Sequence, residues 1–281
     1  MRLAHLILAH NNPQQLHRLV SRLVCADTDV FIHLDKKADT SVFADINKLP
    51  GVQFIAGRVD AGWGNFSIMQ ATLNGLQEIL GMGNTYSHIN LLSGADYPLK
   101  DPETIKQFLF ANADKTFIRY KHIYNDWPET RSRFDLYSFG DYKFPLRFRL
   151  QKLVSRILGN RKLPRGLEPY GFSQWFTMTP EAAQYSLDYL RNNKALRRFF
   201  RMTWGVDELV FQTILLNSPL KEKIVNDHLR FLKFPSRAFS PDVLTIADKD
   251  LMVNSGKFYA RKFDPAVDSE ILDYLDSLIK V

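Results

Sequence analysis

The chain has 281 residues, 45% of them hydrophobic, enough for one large α/β domain or two small ones. Lys and Arg number 37 against 30 Asp and Glu, and the formal charge of +7 suits nucleic acid, an anionic membrane surface or a phosphorylated substrate. No run of about eighteen apolar residues is present, which excludes a membrane span, and the single cysteine, Cys25, excludes an intrachain disulfide framework and points to a reducing, cytoplasmic setting.

Leu3–Ala9 reads as a first strand. It is too brief for a signal peptide, His5 interrupts it, and Asn11-Asn12-Pro13 stands where a small-residue cleavage site would be. Asn12 and Pro13 open a helix with Leu16, Leu19, Val20 and Leu23 at helical spacing. Val30–Leu34 is predicted as the second strand, a helix follows over 40–48, and Val52–Ala56 is the third strand. A loop from Gly57 to Asn65 carries Asp60 and Trp63 between glycines. Ser67 and Gln70 form a capping-box pattern for a helix running to Leu80. Ile89–Leu92 is a buried-strand run ending in Ser93-Gly94-Ala95-Asp96, small residues that let backbone approach a ligand, with one carboxylate. Asp101-Pro102 then supplies an N-cap and a first-turn proline.

Thr116–Tyr120 is the fifth strand. From Lys121 to Glu168 the alternation fails, and aromatic and basic residues replace it. Regularity returns with a strand over Phe172–Met178, a helix from Thr179-Pro180 to Asn192, a helix over Asp207–Leu216, a strand over Asn226–Leu232 and a closing helix over Ser269–Ile279. Strands alternating with helices predict a doubly wound α/β fold with a mostly parallel central sheet and helices on both faces. With no clear linker, residues 1–281 read as a single domain, with 121–168 an irregular insertion inside it.

In a parallel sheet the strand ends at His10-Asn11, Asp35 and Asp96 share one edge, where a carboxylate accepts from base or ribose donors. No glycine-rich phosphate loop follows the first strand. Two Asp-x-Asp pairs, Asp27-Thr28-Asp29 and Asp248-Lys249-Asp250, have the form of a metal–diphosphate ligand. The first precedes its strand and the second sits at a helix start, so both read as structural. A bound diphosphate would then need cations, and Arg261-Lys262 and Arg237 are candidates, although a pair such as Arg261-Lys262 is also an ordinary solvated one. Trp204-Gly205-Val206-Asp207-Glu208 places two acids at a helix start. Asp207 reads as a cap, and Glu208 as either a first-turn acid or a general base.

The order of Leu8-Ala9-His10-Asn11, Phe31-Ile32-His33-Leu34-Asp35-Lys36-Lys37, Trp63-Gly64 to Ala71, Leu91 to Leu99, Ser173-Gln174-Trp175-Phe176, Asp207-Glu208 with Phe211-Gln212-Thr213, and Phe258 to Asp264 resembles glycosyltransferase family 14. That family comprises the core-2/I-branching β-1,6-N-acetylglucosaminyltransferases and peptide O-xylosyltransferases, and the resemblance is to a compact bacterial-type member. It implies a GT-A fold and an inverting, metal-independent transfer of a sugar, N-acetylglucosamine or xylose, from a UDP-sugar to a glycan or glycolipid hydroxyl. No cofactor or metal is expected beyond that donor. Carried over residue by residue, the resemblance makes Glu208 the catalytic base and Lys262 and Arg237 the diphosphate contacts. Asp35 and Asp96 fall in donor-site segments, with His10 and Arg261 beside them. Trp63 and Trp175 would line the sugar cleft, next to Asp207 on the acceptor side.

Residues 144–158 combine apolar and cationic side chains at partly helical spacing. They read either as an amphipathic helix resting on anionic lipid, at the inner face of the cytoplasmic membrane, or as a helix packed on the enzyme. A non-catalytic sugar-binding or anionic-surface-binding protein is the alternative function. No nucleic-acid module is recognisable, and nucleic acid is not an expected partner.

Overall fold

The computed structural model describes residues 1–235 and 240–278. In chain order the elements are β1 (Arg2–Ala9), α1 (Pro13–Leu23), β2 (Thr28–Leu34), β3 (Val52–Phe54), α2 (Phe66–Gly81), β4 (Tyr86–Ser93), β5 (Asp96–Pro98), α3 (Pro102–Ala111) and β6 (Thr116–His122). They continue with α4 (Arg131–Asp135), α5 (Arg147–Leu158), β7 (Tyr170–Met178), α6 (Pro180–Asn192), α7 (Lys194–Arg201) and α8 (Val210–Leu216). The chain closes with β8 (Ile224–Val225), β9 (Arg230–Leu232), α9 (Lys249–Val253), β10 (Tyr259–Arg261) and α10 (Glu270–Leu278). The chain separates into two compact units. The first holds residues 1–56, 84–113 and 229–281, and the second holds 57–83 and 114–228.

The first unit is built on β3-β2-β1-β4, all parallel. β2 is buried along its whole length and β4 over all but Ser93, the pattern of strands covered on both faces. Parallel pairing requires crossovers, and the caps that start them are visible in the sequence. Asn12 Oδ1 accepts from the Gln15 amide at α1, and Asp101 Oδ1 accepts from the Thr104 amide at α3. A smaller sheet, β5-β10-β9, follows from the turn after β4. Arg261 pairs with Asp96 across the antiparallel β10–β5 ladder.

The second unit carries β7-β6-β8, with β7 antiparallel and β8 parallel to β6. Thr179 caps α6 by accepting from the Ala182 amide. Three local expectations change here. The Ser67/Gln70 capping box does not form. The Ser67 amide and hydroxyl both donate to the carboxylate of Asp141, 74 residues away, and Gln70 donates to Asn74 instead. The 207–216 helix begins later than expected. Gly205, at φ +66°, turns the chain so that 206–208 form a 3-10 turn, and α8 starts only at Val210. The strand expected over 226–232 is shortened to β9 (Arg230–Leu232), because Leu229 at φ +61° breaks the extended backbone just before it.

Two charged residues, Asp29 and Arg161, are buried. Asp29 lies inside β2, not before it, and is held by both Arg2 (2.6 and 2.7 Å) and the Tyr86 hydroxyl (2.9 Å). Arg161, in the aromatic and basic stretch over 121–168, is buried: its guanidinium donates to the carbonyls of Leu136, Met202 and Phe199. The last two belong to the C-terminal end of α7, where orphan carbonyls accept a cation readily. Burial lowers its pKa to about 10.

Candidate active site

The expected site residues fall into two groups, one in each unit. In the first unit, the register pairs Ala9 with Leu34 and Leu8 with Ser93. His10, Asp35 and the 93–96 turn therefore leave the sheet at the same edge, the end at which open α/β sheets bind ligands. The Asp35 amide donates to Ala9 O and the Gly94 amide to Leu8 O, which extends the ladder to the edge itself. His10 is exposed there. Asp35 is buried, and its carboxylate accepts from the Lys37 amide at 2.8 Å, an Asx-type turn that fixes the loop.

Asp96 is fully buried. Its carboxylate accepts from the Ser93 amide (3.1 Å), the Ser93 hydroxyl (2.7 Å) and Arg261 Nη1 (2.8 Å), and Arg261 also donates to Ser93 Oγ. The carboxylate read from sequence as a donor-site contact thus closes its own turn and anchors a cation. Lys262 comes next, its ammonium 2.9 Å from Ser240 Oγ. Arg237 lies outside the described residues.

In the second unit, Glu208 sits on the 3-10 turn before α8. Its Oε2 accepts from Arg133 Nη1 at 2.8 Å. Arg133 is largely enclosed. Its guanidinium carbon lies 4.5 Å from the centre of the Trp204 ring and 5.6 Å from that of Trp127. Trp204 in turn meets Trp63 edge to face, with ring centres 5.2 Å apart, and Trp63 is 66% exposed. This layering depends on Gly64. A Cβ there would come within 2.7 Å of Trp204 Nε1, and the Gly205 amide donates to the Gly64 carbonyl.

Burial pushes the Glu208 carboxyl up to about 7. The adjacent Asp207 adds to that rise, and Arg133 pulls against it. Asp207 is buried too and is raised to about 6, mainly by desolvation. It does not cap α8. A carboxyl with a pKa near neutral, held by one guanidinium, is suited to taking a proton from a hydroxyl. Trp175 is 7% exposed on β7, which leaves little of its ring to meet a sugar, whereas Trp63 presents most of its ring.

Arg133, Trp127 and Trp204 escaped the sequence reading as site residues. Arg133 and Trp127 fall in the 121–168 stretch without periodicity, and Arg133 acts across 75 residues of chain on Glu208. No local pattern marks such a partner. One carboxylate of each Asp-x-Asp pair is already engaged within the protein: Asp29 is bound as described, and Asp248 accepts from Lys233 at 2.7 Å and from the Thr245 amide. Among the described residues, no group of three or more His, Cys, Asp or Glu side chains is placed to hold a metal ion.

The parallel edge and the acid–arginine cluster belong to an α/β fold of the GT-A kind. The model of the Core-2/I-Branching enzyme family matches residues 3–249, and the chain belongs to that family, glycosyltransferase family 14. Among curated relatives, xylosyltransferase 2 of Canis lupus familiaris is 27% identical over 98% of this chain and 33% of its own length. Xylosyltransferase 2 of Rattus norvegicus is 27% identical over the same shares, and the xylosyltransferase of Ciona intestinalis is 22% identical over 98% of this chain and 34% of its own. The chain spans about a third of the length of these relatives. A cytidylyltransferase structure from Leptospira borgpetersenii aligns over 69% of this chain and 73% of that one, at 13% identity and a TM-score of 0.29, too low to bear on fold or activity.

Proposed function

We propose that the chain transfers a sugar from a UDP-sugar to a hydroxyl of a glycan or lipid-linked glycan, with inversion at the anomeric carbon and without a divalent metal. The observation that carries this reading is Glu208, a half-buried carboxyl of near-neutral pKa, gripped by Arg133 beside an exposed tryptophan. Family membership supplies the reaction class. The names of the relatives favour xylose as the sugar, with N-acetylglucosamine the other candidate.

The chemistry follows from the parts. A sugar hydroxyl is a weak nucleophile. Glu208 removes its proton as the new oxygen–carbon bond forms and the bond from that carbon to the diphosphate breaks, a single displacement that inverts the centre. Such assistance is worth roughly a hundred- to ten-thousand-fold. UDP departs with growing negative charge, which Lys262, Arg261 and Arg237 offset. His10 and Asp35 face the nucleoside, Asp96 holds Arg261 in place, and Trp63 offers an aromatic face to the acceptor sugar, with Asp207 beside the base. The setting we assign is the cytoplasm. No described helix is long and apolar enough to cross a membrane.

Arg133 provides a test of the base. Glu208 acts as the carboxylate, so the rate falls as pH drops through about 7 and levels off above it. Arg133 favours the charged form, and removing it raises the pKa further. The pH profile of Arg133→Gln is therefore expected to show its acidic limb moved to higher pH. A limb that stays in place, or moves down, removes Arg133 from this role.

Donor identity is tested by offering a panel of UDP-sugars and measuring UDP release with and without acceptor. Faster release from UDP-xylose than from other donors is expected. Binding of UDP-sugar with no turnover on any donor would favour a non-catalytic sugar-binding protein.

A further inference from the structure

The sequence singled out residues 144–158, a stretch the proposed chemistry does not use, and α5 fills most of it. None of its residues is buried. It is attached to the second unit by polar side chains: Gln151 Oε1 accepts from the Phe139 amide at 2.8 Å and Ser155 Oγ from the Tyr137 amide at 3.2 Å. Gln151 and Ser155 stand one turn apart on the same side of the helix. At about 100° per residue, Leu150, Leu153 and Ile157 point roughly 150° away from that side. They are 42%, 51% and 69% exposed, and Leu146, which continues the stripe at the helix start, is 66% exposed.

This arrangement is the reverse of an ordinary surface helix, which buries its apolar stripe and shows its polar face. Here the polar face is tied down and the leucines are turned outward. Arg149, Lys152 and Arg156 run along one flank of the stripe, and all three are exposed. No acidic residue occurs anywhere between Asp141 and Glu168. A second copy of the chain is a poor cover, because the same face of a partner offers no acidic residue to meet these cations. An apolar stripe bordered only by positive charge matches the boundary between acyl chains and anionic headgroups.

We propose that α5 is a membrane-docking element that seats Leu146, Leu150, Leu153 and Ile157 in the interface of an anionic bilayer, with Arg149, Lys152 and Arg156 against the headgroups. The element is peripheral, a helix of twelve residues lying in the plane of the surface. It orients the second unit, and Glu208 with it, at a surface where lipid-linked acceptors are found. The docking itself does not depend on the proposed transfer.

Vesicle flotation of the full chain tests it without any activity measurement. The wild-type chain is expected to float with phosphatidylcholine vesicles containing phosphatidylglycerol, and to stay largely unbound with pure phosphatidylcholine. The combined variant L150S/L153S/I157S should lose vesicle affinity by at least about tenfold, and so should R149Q/K152Q/R156Q. Thermal melting of both should match wild type, since every substituted side chain is exposed. Failure of the wild type to bind anionic vesicles overturns the proposal, as does equal binding by either variant. A wild-type dimer in solution that L150S/L153S/I157S converts to monomer would show that a second copy covers the stripe instead.

Discussion

The Glu208→Gln enzyme is expected to fold as the wild type does and to transfer sugar at least about a hundredfold more slowly. The amide keeps the shape of the carboxyl and an oxygen to accept from Arg133, so the Trp204–Arg133–Trp127 layer has no reason to rearrange. What is lost is the ability to take a proton. Binding of UDP should be little changed, because the groups assigned to the diphosphate are in the first unit. Single-turnover rates with intact UDP binding would separate a lost base from a damaged fold. Near-normal turnover would remove Glu208 from the role and leave its raised pKa as a by-product of burial.

The second large effect is on stability. Arg261→Met is expected to lower stability by about 3–5 kcal/mol, because it leaves the fully buried Asp96 carboxylate without its cation. The two Ser93 hydrogen bonds remain but do not offset a buried charge. Thermal melting should fall by roughly 10 °C for a chain of this size. Lys262→Met should behave differently. Its ammonium meets a serine hydroxyl and, among the described residues, neutralises no buried acid, so melting should change little while UDP binding weakens by roughly ten- to a hundredfold. Equal melting of the two variants would mean that Arg261 does not hold the Ser93–Asp96 turn. Unchanged UDP affinity in Lys262→Met would take Lys262 out of the donor site.

The contrast between the two cations shows what the sequence can and cannot carry. The parallel sheet was legible because β1, β2 and β4 are short apolar runs, and because Asn12 and Asp101 announce the helices that cross between them. Once the strands are parallel, the shared edge of His10, Asp35 and Asp96 follows from register alone. The role of Asp96 was not legible. A carboxylate after a small-residue turn has the same local signature whether it meets a ligand or, as here, an arginine 165 residues away.

The same limit applies across the second unit. Asp141 replaces the capping box by reaching the start of α2 from a distant loop. Arg161 looks like one of the eight cations between Asp141 and Glu168, yet it is buried against the end of α7. Arg133 has no periodic neighbourhood at all. Each acts through a contact between segments far apart in the chain, and composition reports charge without reporting where it goes. α5 is the opposite case. Its spacing was visible, but only the attachment of Gln151 and Ser155 tells which face is turned out.

The proposed transfer rests on a leaving diphosphate whose charge is met by side chains of the protein. The most direct measurement is the initial rate of sugar transfer in excess EDTA compared with the rate in manganese. The same rate is expected in both. Activity abolished by EDTA and restored by manganese would contradict it.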